Sequence, residues 1–259
     1  MRWLELKSRS KTFAAFATMG VIVVVSAFTA ARCAEPAKPV EVDEAFGQKV
    51  RAYLLSHPEV IEEAVEALKV KEQHQAELDA SKAIGQNRDK LNHTAGDPSL
   101  GAGPVTLVEF FDYRCAYCKA AAPRIPGLVA ENPNIRIVFK EFPILTEVSE
   151  HAARAALAAE VQGKYLPVHL AFMAEKALDD ATIDRILREK GVDLDRAHAD
   201  MKSAAIAKKI EDNKALAHAV GVDGTPGFVV GDKLIGGFVE TDILAAVKAQ
   251  SDTTPKTGT

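Results

Sequence analysis

Two cysteines separated by two residues stand directly after an apolar run in the middle of the chain. The run, Val105–Phe111, is rich in β-branched and aromatic residues and predicts a buried β-strand, while the alanine-rich stretch after Cys118 predicts a helix. This order places Cys115 and Cys118 at a helix N-terminus. Partial positive charge at that end stabilises a thiolate, the attacking species in disulfide exchange. The pattern therefore indicates a dithiol redox site on an α/β scaffold.

The two cysteines are expected to have different roles. Cys115 caps the predicted helix with its sulfur exposed, so we expect it to be the nucleophile that forms a mixed disulfide with a substrate. Cys118 follows one turn later, is expected to lie deeper, and resolves that mixed disulfide. Ala116 and Tyr117 modulate the reactivity of Cys115, because they control how many backbone amides point at its sulfur. A static disulfide is the alternative, although so short a loop would gain little stability.

A proline motif, Gly224–Gly227, precedes a second apolar strand far along the chain from the cysteines. We expect the bond between Thr225 and Pro226 to be cis, because only bonds to proline adopt the cis form at small cost. Backbone groups of Thr225 then face the thiols, and an extended substrate segment can pair there as an added strand. An ordinary turn proline is the alternative, and the cysteine pair favours the functional interpretation.

A charged residue stands inside the apolar strand that leads to the cysteines. Strand alternation puts Glu109 on the same face as Phe111, where it is expected to be buried. A buried carboxyl group near the thiols has a raised pKa and can relay protons. Lys140 ends the next predicted strand, which starts at Ile135, and is the expected partner of Glu109. A purely structural pair at the sheet end is the alternative.

The N-terminus has the pattern of a signal peptide, predicted over residues 1–33. Met1–Lys11 carries four basic residues and one acidic residue, and Phe13–Ala31 is uncharged and mostly apolar. Cleavage after Ala31 or after Cys33 is expected. An uncleaved membrane anchor is the alternative, because the apolar run is about long enough to span a bilayer.

Composition excludes several classes of protein. The net charge is −4 with no basic field, which argues against a nucleic-acid partner, and the 47% apolar content permits a packed core. The chain has three cysteines, of which Cys33 lies at the signal boundary, so the chain is not a disulfide scaffold. Two cysteines without nearby histidines do not make a zinc site, so no metal is expected. No organic cofactor is expected either, since the Cys115–Cys118 disulfide carries the electrons.

The chain divides by composition into segments after the signal peptide. Apolar residues at helical spacing predict two short amphipathic helices in residues 41–84, and a glycine-containing polar stretch predicts a linker at 85–104. The catalytic domain is expected at 105–250, with a helical insertion at about 149–219, and a flexible tail at 251–259. The apolar stripe of the first helices includes Phe46, Val50, Tyr53 and Val60. It is expected to pack on its own domain or on identical helices of other subunits.

The cysteine and proline motifs together resemble the DsbA family. The resemblance rests on Glu109–Cys118, on Gly221–Phe228 and on the helical stretch between them. It implies a thioredoxin fold with an inserted helical domain, working in the bacterial envelope. The family roles of nucleophile, partner cysteine, buried acid and cis-proline then fall to Cys115, Cys118, Glu109 and Pro226.

A second resemblance concerns the N-terminal part. Val50–Ala64 is similar to the N-terminal region of ScsC-type proteins, which are linked to suppression of copper sensitivity. In some of these the segment builds a trimer that acts as a disulfide isomerase and is kept reduced by a membrane partner. The resemblance implies a homotrimer and a membrane thiol reductase of the DsbD or ScsB type. Ala116–Tyr117 departs from the Pro-His of the DsbA oxidase, which argues against strong oxidase behaviour.

The sequence therefore predicts a periplasmic thiol–disulfide oxidoreductase, an isomerase or reductase acting on reduced or wrongly disulfide-bonded envelope proteins. A monomeric DsbA-like dithiol oxidase with a DsbB-like partner is the first alternative. A copper-binding or chaperone-like envelope protein is the second, because copper(I) favours soft thiolate ligands.

Overall fold

A computed structural model of the protein describes residues 43–92 and 96–253. The predicted signal peptide, 1–33, lies outside the described residues, as does 254–259 at the end of the predicted tail. The described chain falls into two units, divided between His57 and Pro58. Within the described ranges, no helix is both long and apolar enough to cross a membrane.

The first unit contributes one described helix, α1 (Glu44–Ser56). The side chain of Asp43 caps it by accepting a hydrogen bond from the amide of Ala45 at 3.1 Å. None of its residues is buried. The large side chains of Phe46, Tyr53 and Leu55 are all more than half exposed. α1 therefore presents apolar surface that a stable partner would cover.

The second unit contains a five-stranded sheet surrounded by helices. Its elements are α2 (Glu59–Gln86), α3 (Arg88–Asn92), β1 (Ser99–Leu100), β2 (Val105–Phe111), α4 (Ala116–Ala121), α5 (Ile125–Glu131), β3 (Ile135–Glu141), α6 (Glu147–Glu160), α7 (Tyr165–Ala174), α8 (Asp180–Glu189), α9 (Leu194–Asp200), α10 (Ala204–Ala219), β4 (Gly227–Val230), β5 (Lys233–Gly236) and α11 (Glu240–Thr253). The strand order is β1-β3-β2-β4-β5, with β2 and β3 parallel and the other pairs antiparallel. The predicted thioredoxin fold, with helices inserted between β3 and β4, is confirmed.

The first inserted helix, α6, packs against its neighbouring helices through small side chains. Six alanines of α6 are fully or almost fully buried, which lets the neighbouring helices approach its backbone closely. Gly191 and Gly221 follow the ends of α8 and α10, and they have φ values of 73° and 82°. Glycine suits this left-handed conformation after a helix, because it has no Cβ.

The segment 85–104, predicted to be a linker, holds regular structure instead. α2 continues to Gln86, α3 follows it, and β1 pairs with β3. Ile84 and Leu91, seven residues apart, are both buried in a cluster with Phe110 on the second face of the sheet. Burial of these two side chains outweighs the local glycine and polar content on which the linker prediction rested. At the other end, residues 251–253 belong to α11 rather than to a tail.

The end of α2 is therefore predicted to stabilise the catalytic unit. Ile84→Ala should lower the free energy of unfolding by about 2–4 kcal/mol, because it leaves a cavity beneath the sheet. Ile61→Ala is the matched control, since Ile61 is 53% exposed on the same helix, and it should change the stability by less than about 0.5 kcal/mol. Urea unfolding of both variants measures the difference. Equal effects would contradict the docking of α2.

Candidate active site

The first cysteine caps the helix that follows β2. Cys115 is the N-cap of α4, and its Sγ accepts a hydrogen bond from the amide of Cys118 at 3.4 Å. The sulfur thus lies where the helix presents amides without intrahelical partners. Both cysteines are free thiols, with Cys115 6% exposed and Cys118 fully buried. The predicted order of depth is present, although Cys115 is more enclosed than expected.

The proline loop lies against the first cysteine. The Thr225–Pro226 peptide bond is cis, as predicted. The thiol of Cys115 donates a hydrogen bond to the carbonyl oxygen of Thr225 at 3.1 Å. The structure therefore brings together the two motifs that are 110 residues apart in the sequence.

A groove of about 630 Å³ runs beside this contact. It is bounded by α4 on one side and by the proline loop and β5 on the other, and its lining includes Tyr117, Val222, Pro226, Leu234 and Phe238. Much of the remaining lining is glycine and alanine. The ring of Tyr117 is 77% exposed, and its neighbour Ala116 is also at the surface. An apolar groove whose edge consists of glycine and alanine backbone, without large side chains, fits an extended peptide.

The second cysteine has the character of a protonated thiol. Burial raises the pKa of the Cys118 thiol above its usual range, and the neighbouring Cys115 and Glu109 raise it further, although a backbone hydrogen bond from Asp112 opposes them. A buried thiolate would be costly here, so Cys118 must give up its proton before it can act as a nucleophile.

Glu109 is buried, as predicted, but its expected partner lies elsewhere. The residue is 2% exposed, and its Oε2 atom has no hydrogen-bond partner. Burial raises the pKa of Glu109 to about 8, so the group is mostly protonated at neutral pH.

The predicted pairing of Glu109 with Lys140 is wrong. The parallel register of β2 and β3 sets Glu109 beside Phe139 and Lys140 beside Phe110. Because alternate residues of a strand face opposite sides, the two charged side chains lie on opposite faces of the sheet. Lys140 instead forms a buried ion pair with Asp97 and donates to the carbonyl oxygen of Lys90 at 3.0 Å.

A second buried acid, Glu141, was missed at the end of β3. Its Oε1 atom accepts hydrogen bonds from the hydroxyl groups of Tyr113 at 3.0 Å and Tyr165 at 2.9 Å. The Tyr113 hydroxyl also lies 3.1 Å from Nδ1 of His169. Burial raises the pKa of Glu141 well above its usual value and lowers that of His169 to about 3. The acid and the histidine of this cluster are therefore both uncharged. Tyr113 connects the cluster to the loop between β2 and Cys115.

A third acid shapes the loops around the dithiol. Asp112 is 1% exposed, and its carboxylate accepts hydrogen bonds from the amides of Arg114 at 2.7 Å, Ile144 at 2.9 Å and Leu145 at 3.0 Å. The bond to Arg114 is an Asx-type turn, which an aspartate just before a loop could have indicated from sequence. The bonds to Ile144 and Leu145 tie the loop after β3 to the cysteine loop.

Metal-binding side chains do not converge in the described ranges. No group of three or more histidine, cysteine, aspartate or glutamate residues there is arranged to hold an ion. The sulfur chemistry at Cys115 and Cys118 needs none, because thiol–disulfide exchange moves electrons between sulfur atoms.

A dithiol on a thioredoxin fold, with one sulfur at a helix N-terminus and a cis-proline against it, defines a thiol–disulfide oxidoreductase. The chain belongs to the family of DsbA-like thioredoxin domains, which it matches over residues 106–247. Residues 44–75 match the N-terminal domain of the copper resistance protein ScsC.

Solved structures agree with this assignment. A thioredoxin-like oxidoreductase from Silicibacter pomeroyi is 43% identical, with a TM-score of 0.62, and the match covers 65% of this chain and 99% of that one. ScsC from Proteus mirabilis, in a transitional conformation, is 29% identical with a TM-score of 0.61, over 82% of this chain and 100% of that one. The longer match to ScsC is consistent with the separate match of residues 44–75.

A curated relative shares the domain in a much longer protein. A Na⁺/H⁺ antiporter, NhaA 3 from Salinispora tropica, is 32% identical over 147 residues, which is 55% of this chain. This chain spans only 22% of the length of that antiporter. The match therefore concerns a domain and not the activity of the whole antiporter.

The raised pKa of Glu109 predicts that stability falls as the pH rises. The folded protein holds this proton up to about pH 8, whereas an unfolded glutamate releases it near its ordinary pKa of 4.5. Raising the pH between these values therefore favours the unfolded chain, and the effect levels off above about pH 8. Glu109→Gln should remove this decline and be more stable than the wild type at about pH 8.5, by up to about 4 kcal/mol.

Urea unfolding at about pH 5, 7 and 8.5 measures both proteins. Other titrating groups, such as His169, contribute equally to both proteins, so their effect cancels in the difference between the two stabilities. That difference should widen as the pH rises. A constant difference would show that Glu109 does not carry a raised pKa.

Proposed function

We propose that the protein is a periplasmic thiol–disulfide oxidoreductase in which Cys115 is the nucleophile and Cys118 the resolving cysteine. The observation that carries the proposal is the contact of the Cys115 thiol with Thr225 at the mouth of the apolar groove. A substrate segment lying along the groove would pair with the backbone of Thr225 and bring its own sulfur to Cys115.

The reaction proceeds through a mixed disulfide. The Cys115 thiolate attacks one sulfur of a substrate disulfide, the substrate S–S bond breaks, and the other substrate sulfur leaves with the electron pair. Cys118 then loses its proton and attacks Cys115, which releases the reduced substrate and leaves a Cys115–Cys118 disulfide. Alternatively, a different thiol of the substrate attacks the mixed disulfide in place of Cys118. Cys115 then leaves as a thiolate, and the substrate has a rearranged disulfide. The reverse sequence oxidises a substrate dithiol.

Several neighbours support these steps. Glu109 is assigned the exchange of a proton with Cys118, since it lies buried beneath the thiols with a pKa of about 8, near the working pH. Ala116 and Tyr117 are assigned control over the exchange rate of Cys115, and Tyr117 also borders the groove. Lys140 has no assigned role in this reaction, because it lies on the other face of the sheet.

The favoured direction is isomerisation or reduction, on exported proteins with wrong disulfides. The match to the ScsC N-terminal domain and the exposed apolar side chains of α1 support assembly of subunits through this segment, as a homotrimer. Several dithiol sites held together would raise their effective concentration on one client protein. A membrane thiol reductase of the DsbD or ScsB type would keep the sites reduced. The predicted signal peptide supports export to the periplasm.

The roles of the cysteines are tested by single substitutions. Cys115→Ser should abolish reduction of insulin, because no attacking thiol remains. Cys118→Ser should still attack but should accumulate mixed disulfides, because the resolving thiol is absent. Non-reducing gels and mass spectrometry detect these adducts. Faster alkylation of Cys118 than of Cys115 in the wild type at neutral pH would contradict the assignment.

The role of the N-terminal helix is tested by deletion of residues 35–57. The deletion leaves α2 and the buried Ile84 in place, so the catalytic unit should stay folded. Sedimentation velocity should show a trimer become a monomer. Refolding of a scrambled multi-disulfide substrate should fall severalfold, while reduction of a simple disulfide stays within about twofold of the wild type, because only repeated capture needs several sites.

A point variant provides the matched comparison. Phe46→Asp places a charge on the exposed apolar surface of α1 and should weaken assembly, whereas Gln48→Asp places the same charge on a polar exposed position of that helix. Equal unscrambling by the deletion and the full chain would contradict the isomerase proposal and favour a monomeric dithiol oxidase.

A further inference from the structure

The residue after the second cysteine caps a helix of the insertion. Nζ of Lys119 donates to the carbonyl oxygens of Glu175 at 2.7 Å and Phe172 at 3.0 Å, and lies 3.5 Å from that of Met173. These are carbonyl groups at the C-terminus of α7, where a helix lacks intrahelical donors. A lysine ammonium has three protons, and the negative end of a helix dipole favours a cation. Lys119 thus joins the active-site helix to the insertion.

The residue before the first cysteine is held in the same manner. Nη1 of Arg114 donates to the carbonyl oxygen of Leu178 at 3.1 Å, in the connection between α7 and α8. Both cations that flank the Cys115–Cys118 motif therefore bond to backbone oxygens of the same part of the insertion.

The hydrogen bonds of Arg114 and Lys119 go to uncharged carbonyl oxygens, which do not neutralise the positive charges of the two side chains. Among the residues that the structure describes, neither Arg114 nor Lys119 forms an ion pair with a carboxylate. The carboxylate of Glu175, at the same end of α7, pairs instead with Arg185 at 2.9 Å. Burial, together with repulsion from Arg114, lowers the pKa of Lys119, and attraction to Glu175, Asp112 and Cys118 opposes this. Lys119 directly follows Cys118 in α4, and Arg114 directly precedes Cys115, so both cations stay next to the dithiol along the chain.

A positive charge at this place acts on the redox equilibrium. Reduction of the Cys115–Cys118 disulfide by two glutathione molecules transfers two electrons and two protons to the protein sulfurs and forms one glutathione disulfide. A sulfur that then ionises carries a negative charge, which the neutral disulfide does not. Nearby cations therefore stabilise the reduced protein relative to the oxidised one.

We propose that Lys119 and Arg114 are positioning residues through which the helical insertion holds two positive charges beside the dithiol and favours its reduced form. The proposal rests on the proposed function, in which Cys115 and Cys118 interconvert between dithiol and disulfide. It gives the insertion an electrostatic task in addition to covering the site. A reduced resting state is the form that an isomerase requires, because attack on a wrong disulfide starts from the free thiolate.

The experiment equilibrates the purified full-length protein with glutathione buffers and counts free thiols by alkylation and mass spectrometry. Lys119→Met should shift the equilibrium toward the disulfide by about three- to tenfold, since one nearby charge is lost. Lys119→Arg keeps the charge and the donors and should stay within about twofold of the wild type. Lys176→Met is the control, because it removes the same charge from an exposed lysine just beyond the same helix end.

Two further measurements separate charge from a purely structural cap. Arg114→Gln leaves the Lys119 cap intact and should shift the equilibrium in the same direction. This variant still tests the proposal if Lys119→Met fails to fold. The shifts should shrink as salt is raised, because mobile ions screen the interaction. A structural cap alone would lower the unfolding temperature of Lys119→Met without moving the equilibrium.

The proposal is overturned if folded Lys119→Met and Arg114→Gln equilibrate like the wild type. It is also overturned if Lys176→Met shifts as far as Lys119→Met, since net charge alone would then account for the effect. A wild-type protein that shows no interconversion of Cys115 and Cys118 at all would instead contradict the proposed function.

Discussion

The antiparallel pairing of β2 with β4 is the constraint on which the site depends. Antiparallel strands bring the end of one beside the start of the other, and the register sets Phe110 opposite Gly227. The cysteine loop leaves the sheet after Phe111, one residue beyond this pair, and the proline loop enters it at Gly227. The contact of Cys115 with Thr225 and the groove beside it follow from this register. A shift by one residue would turn Glu109 to the opposite face of the sheet.

Two carboxyl side chains in the core beneath the dithiol are held in their protonated, neutral form. Glu109 and Glu141 lie on the same face of neighbouring strands, and burial raises the pKa of both. Their surroundings differ, because two tyrosine hydroxyl groups donate to Glu141 whereas Oε2 of Glu109 has no partner. Unsatisfied burial costs stability, and such costs are typical of functional positions. Glu109 is thus suited to exchange protons, and Glu141 to hold Tyr113 and the approach to Cys115.

The helical insertion belongs to the redox site as much as to the core. Its α7 contributes His169 to the buried cluster and carbonyl oxygens to Lys119. On the other face of the sheet, Ile84 from the end of α2 is buried with Phe110, the residue opposite Gly227. The catalytic unit therefore includes the end of a helix that composition had assigned to a separate segment. The described residues before Pro58 belong to a separate unit, and several of their apolar side chains are exposed.

The sequence by itself determined the features that depend on local pattern. Strand alternation and the helix after Cys115 predicted a buried Glu109 and a capping sulfur, and the motif around Pro226 predicted the cis bond. Tertiary structure alone decided the partners. The face of Lys140 depends on the register between two strands, the bonds of Glu141 join side chains far apart in the sequence, and Lys119 bonds to backbone oxygens that no residue type reveals. Periodicity and composition describe one segment at a time, whereas partners are set by how distant segments pack.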